Sequence, residues 1–184
     1  SGTKNAVIIS DPQGRVEWVN PAFYDITGYT LDDVKGKSPG SLLQGEKSDP
    51  QVIDYMRQQI RKQKGFNTEI INYHKTGREY WIAIEVRPVF DENQRLINFI
   101  AIETDITDRK VAEEQIRESE ALKSGILNTA LDAIISVNHN GEIVEFNPAA
   151  EMIFGYSRHE VMGRSMGEVI VPERLQDAHK AGMQ

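Results

Sequence analysis

Short apolar runs separated by polar turns fill the first hundred residues. Ala6–Ser10 is one such run, closed by the turn signal Asp11-Pro12-Gln13-Gly14. Val16 and Trp18 alternate with charged neighbours and predict the second strand of a hairpin. Asn20-Pro21 predicts a helix start, since Asn accepts from free amides at an N-cap and Pro is tolerated at the first helical position. Gly28 ends that helix, and Thr30–Val34 predicts another short helical turn. Pro50 to Lys64 predicts a longer helix with Val52, Ile53, Met56 and Ile60 on one side. Three longer strands follow, Phe66–Tyr73, Glu79–Phe90 and Leu96–Ile106, divided by His74-Lys75-Thr76-Gly77 and Asp91-Glu92-Asn93-Gln94. Within the second, Trp81, Ala83 and Glu85 share one face, and Tyr80, Ile82, Ile84 and Val86 share the other. The order predicts an α+β domain, a five-stranded antiparallel sheet with helices on one face.

The pattern then recurs. Gly14, Asn20-Pro21, Gly28-Tyr29 and Gly36 reappear as Gly141, Asn147-Pro148, Gly155-Tyr156 and Gly163, each 127 positions later and without a gap. Such a period is too long for a solenoid unit and fits one small domain plus a connector. The chain is therefore expected to hold a first domain over 6–107, a helical linker over 108–121 and the N-terminal half of a second domain over 122–184. Thr107 is expected to cap the connecting helix and Asp108 to suit its positive end. Positions 112, 116, 119, 123, 126 and 130 keep heptad-like spacing, occupied by Ala, Ile, Ser, Lys, Ile and Ala. That stripe, with Ile116 and Ile126 as its large members, points to a homodimer through the linker.

Composition narrows the function classes. The 184 residues are 39% hydrophobic and 27% charged, as in a globular protein, and carry a net charge of −7. An acidic surface disfavours phosphate backbones and anionic lipid, so nucleic acid and direct membrane contact are not expected. No window is apolar enough to span a bilayer and no secretory signal opens the chain, which points to the cytoplasm. There is no cysteine, which excludes disulfides, thiolate metal sites, thiol nucleophiles and cysteinyl–flavin photochemistry. Phosphate loops, nucleophile elbows and zinc-protease motifs do not occur, so no enzymatic chemistry is expected.

The run NPAFYDITGYTLDDVKGKSPGSLL, the segment EIINYHKTGREYWIAIEVRPVFDENQRLINFIAIETDIT and its closing Asp105-Ile106-Thr107 resemble PAS domains. The likeness returns in FNPAAEMIFGYSRHEVMGRS of the second copy. It implies a cavity between sheet and helices, and an input module that passes its state along the terminal helix to a C-terminal output domain. That output would be a histidine kinase or a cyclic-dinucleotide enzyme. A ligand-free interaction scaffold is the alternative.

Within that family the first copy is similar to the photosensory LOV domains. Leu43-Gln44-Gly45 matches the end of their cysteine motif, Asn72-Tyr73 their strand motif, and Trp81 an aromatic in the next strand. It departs from them at Ser38-Pro39-Gly40-Ser41, at Ile82 where an Asn is expected, and at Glu103 in place of a terminal Gln. The resemblance implies a planar cofactor or metabolite between Trp81, Asn72 and Glu103 on the sheet and Ser38–Gln44 on the helical side, with non-covalently held flavin, FAD or FMN, as the first candidate. Haem is a second cofactor candidate, because Pro172-Glu173 followed by His179 resembles the proximal-histidine helix of oxygen-sensing PAS domains.

Overall fold

The structure, a computed structural model, describes residues 5–170. The chain divides into two compact units, Ser1–Glu113 and Glu114–Gln184. The first holds β1 (Ala6–Ser10), β2 (Val16–Val19), α1 (Pro21–Thr27), α2 (Leu31–Val34), α3 (Gly40–Leu43), α4 (Pro50–Arg61), β3 (Phe66–Tyr73), β4 (Glu79–Phe90) and β5 (Leu96–Asp105). Helix α5 spans Thr107–Thr129, and the second unit adds β6 (Ile135–Val137), β7 (Ile143–Phe146), α6 (Pro148–Phe154), α7 (Arg158–Val161) and α8 (Met166–Val169).

The five strands of the first unit form one antiparallel sheet in the order β2-β1-β5-β4-β3. Strand alternation sends Tyr80, Ile82, Ile84 and Val86 of β4 inward, where they join Ile8, Phe23, Val34, Leu43 and Phe99 in the core. Three short helices and the longer α4 cover that face. The sequence missed α3, because four residues that start at Gly40 and lack a side-chain cap leave no periodic pattern.

The repeated Asn-Pro pair does the same work in both units. Asn20 Oδ1 accepts from the amides of Phe23 (3.2 Å) and Val7 (2.9 Å), while its Nδ2 donates to the Asn5 carbonyl (3.0 Å). Asn147 repeats this, accepting from Ala150 and Ile134, both at 2.9 Å, and donating to the Asp132 carbonyl at 2.9 Å. One side chain thus caps a helix and pins it to the first strand segment. Gly28 and Gly155 close these helices at φ +74° and +75°, where an L side chain is strained.

The expected cap at Thr107 is corrected. Its hydroxyl accepts from the Trp81 amide (3.0 Å) and donates to Asp105 Oδ1 (2.6 Å), and Asp105 also accepts the Thr107 amide (2.9 Å). Thr107 opens α5 and ties it to β4, because Asp105, two residues back, already holds its amide. Thr107→Val keeps the shape but strands the Trp81 amide and should cost about 1–2 kcal/mol. Urea unfolding followed by tryptophan fluorescence reads this in the first domain alone, since Trp18 and Trp81 are the chain's two tryptophans. An unchanged midpoint would show that the tie contributes nothing.

Candidate functional site

A cavity of about 440 Å³ lies between the sheet and helices α3 and α4. Its walls are apolar. Ile84, Val86 and Phe99 face it from the strands, and Leu43, Ile53, Met56 and Ile60 from the helices. The stripe on α4 thus lines a space as well as packing a core. Volume and lining suit a small-molecule site of ordinary size.

The polar floor is built on β3 and β5, with β4 between them. Asn72 of β3 stands opposite Tyr80 of β4, and Glu103 of β5 stands opposite Ile84 of β4 and Ala6 of β1. Asn72, Tyr80 and Glu103 are each no more than 3% exposed, yet Asn72 Oδ1, Tyr80 Oη and Glu103 Oε2 have no hydrogen-bond partner. Buried polar atoms are nearly always paired, because an unpaired one costs about 1–3 kcal/mol. Of the three, Asn72 and Glu103 line the cavity, and their two orphans mark the place where a ligand's polar edge fits, while Tyr80 belongs to the packed core. Burial pushes the Glu103 carboxyl up to about 7. The Tyr80 phenol is also raised, by burial first and by the charge of Glu103 second.

The opposite side of the cavity carries Arg57 and Arg61 of α4, both exposed, with Ser38–Ser41 and Gln44 beside them. Arg57 lies 3.5 Å from Asp54, a surface pair of little strength. Gln44 folds back over Gly40, where an added Cβ would come within 2.6 Å of its amide nitrogen. A residue with a side chain at position 40 would therefore push Gln44 away from its present seat.

The structure brings Gln44, Asn72 and Glu103 to this one cavity. Trp81 is a correction. The same alternation that turns Tyr80 and Ile82 inward turns Trp81 to the other face of the sheet. There its ring lies under the Lys110 ammonium, 4.9 Å away, while Lys110 and Arg109 both reach Glu69 of β3 at 2.7 Å. Trp81 thus belongs to the seat of the linker helix. Arg57 and Arg61 were not singled out from the sequence, since arginines on an amphipathic helix carry no local signal of a cavity beside them. The haem expectation at Pro172, Glu173 and His179 falls outside the described residues. Among the described residues no cluster of His, Cys, Asp and Glu could hold a metal ion.

The comparisons agree with this architecture. The family described as PAS domain matches residues 4–108, and the one described as PAS fold matches residues 121–184. Blue-light-activated histidine kinase 1 of Erythrobacter litoralis is 34% identical over 149 residues, 76% of this chain and 41% of the relative. A blue-light-activated histidine kinase of Brucella canis is 32% identical over 71% of this chain and 27% of the relative. The chain therefore spans well under half the length of these curated relatives. Among solved structures, the LOV domain of an Erythrobacter litoralis blue-light-activated histidine kinase superposes with a TM-score of 0.54 at 28% identity. The match covers 58% of this chain and 99% of that domain. Sheet order, helical cover, repeat and family match lead to one assignment: the chain belongs to the PAS domain family.

Proposed function

We propose that this chain is the sensory and relay part of a signalling protein, and that its first domain binds a flavin nucleotide, FAD or FMN, without a covalent bond. The observation that carries this reading is the cavity with two unpartnered polar atoms at its floor, Asn72 Oδ1 and Glu103 Oε2, and two arginines at its exposed side. A flat ring with a hydrogen-bonding edge suits the floor and the apolar walls, and an anionic tail suits Arg57 and Arg61. A bound flavin would supply a redox-active, light-absorbing ring. Asn72 and Glu103 would orient it, and the aliphatic walls would keep water from it. With no cysteine in the chain, a cysteinyl adduct is excluded, so redox state or simple occupancy is the signal.

The kinase relatives support a histidine kinase as the C-terminal output, reached through α5. That helix buries none of its residues and exposes Val111, Ile116, Leu122 and Ile126, which supports a homodimer paired along it. No helix among the described residues is long and apolar enough to cross a membrane. The domain division proposed is a first PAS domain over 6–107, a helical linker over 108–121 and a second PAS domain from 122. We assign the pair to the cytoplasm, since neither cavity nor surface asks for an oxidising compartment.

Titrating the purified, flavin-free protein with FAD and following flavin fluorescence tests the ligand. The expected result is saturable binding that Arg57→Ala weakens by about 10-fold for FAD and leaves unchanged for riboflavin, which lacks phosphate. Absence of binding by either flavin would remove this cofactor from the reading.

A further inference from the structure

Glu103 is a carboxyl with no counter-charge around it. Ala6 faces it from β1, and Ile84 and Tyr80 face its side of the sheet from β4. Asp105, two residues on along β5, carries the same sign. Just past the end of α3 the neighbour across the cavity is Gln44, which is neutral. The titratable groups of α1, Tyr24 and Asp25, are exposed. Arg57 and Arg61 of α4 sit on the cavity's exposed side, away from the floor. An ionised Glu103 is therefore stabilised only by solvent that enters the cavity.

We propose that Glu103 is a proton-binding site in the cavity floor, and that a ligand whose neutral planar ring covers this floor is taken up together with one proton on its carboxyl. This rests on the reading of the cavity as a ligand site. Covering the floor removes the solvent, and a lone buried carboxylate then neutralises itself, because desolvation disfavours the charged form. The proton comes from bulk solvent and stays on Glu103. Its O–H then donates to an acceptor on the ligand, while Asn72 Oδ1 accepts an N–H. The ligand edge that fits is thus a donor beside an acceptor, as in a lactam or imide. Burial already holds the empty carboxyl at about 7, so the exchange falls near neutral pH.

Two measurements test this. Infrared spectra of the ligand-free protein between about pH 5 and pH 9 should show a protonated-carboxyl band that fades near neutrality. The band should be missing from Glu103→Gln. A band that survives in the variant, or that is absent from the wild-type protein at the acidic end, overturns the proton site. Calorimetry with FAD and with riboflavin, in Tris and in phosphate at the alkaline pH and in acetate and in piperazine at the acidic one, then counts protons from the difference in buffer ionisation heat. At about pH 8 the wild-type protein should take up close to one proton per ligand, and at about pH 5 close to none. Glu103→Gln should still bind, since its amide can donate, with no uptake at either pH. Equal uptake in wild type and variant overturns the coupling. If neither flavin binds while the band titrates, the flavin assignment fails and the proton site stands.

Discussion

Above about pH 8, Glu103→Gln is expected to stabilise the ligand-free first domain by about 3 kcal/mol, with almost no effect below about pH 4.5. The carboxyl's ordinary value of 4.5 is raised to about 7 in the folded domain by burial. The folded state therefore holds the proton more tightly than the unfolded chain. Below 4.5 both states are protonated and the side chain is neutral in each. As pH climbs toward 7, the unfolded chain ionises freely while the folded domain keeps its proton. Stability then falls by about 1.4 kcal/mol per pH unit. Above 7 both states are ionised and the loss levels off. Glutamine carries no proton to lose, so the variant lacks this slope. Surface carboxylates with lowered values, such as the half-buried Glu69 beside Lys110 and Arg109, oppose the trend at acid pH. They act equally in both proteins, so the difference between the two pH profiles isolates Glu103. Urea midpoints by tryptophan fluorescence give that difference. Parallel profiles would show that Glu103 is solvated in solution and that the floor is open to water.

That residue also shows how far the sequence could be read. The internal repeat, the two Asn-Pro helix starts and the strand alternation each rest on local chemistry, and the folded chain uses them as the pattern predicts. Alternation divides β4 into two sets of side chains but does not say which set faces the helices. Tyr80 and Trp81 are both large aromatics with one polar atom. Only packing against α1 to α4 shows that the phenol goes in and the indole goes under Lys110. The cavity itself was illegible for a related reason. Ile53, Met56 and Ile60 form the same stripe whether a helix presses on a sheet or stands off it. Asn72 and Glu103 were singled out by resemblance, and their lack of partners became visible only with neighbouring strands in register. Arg57 and Arg61 gain meaning from the cavity beside them, which lies between distant parts of the chain.

Filling the cavity should separate ligand binding from folding. Ala101 of β5 lines the space from the face that carries Phe99 and Glu103, opposite Val86 of β4 and Ile8 of β1. In Ala101→Phe the added ring enters open volume of about 440 Å³ and meets aliphatic walls, with no polar group of its own to satisfy. Burying it should offset its lost rotamer freedom, so the melting temperature is expected to hold or rise. The same ring occupies the position of a planar ligand. FAD affinity should fall about 100-fold or more, the equivalent of about 3 kcal/mol. Most core insertions act in the opposite way, losing stability by about 1–3 kcal/mol because no void receives the added atoms. The pairing of retained stability with lost binding is therefore diagnostic of a real cavity. Differential scanning calorimetry and FAD titration on the same preparation read both quantities. An Ala101→Phe protein that binds FAD as the wild type does would move the ligand off this sheet face, and one that unfolds at lower temperature would show the space to be already filled.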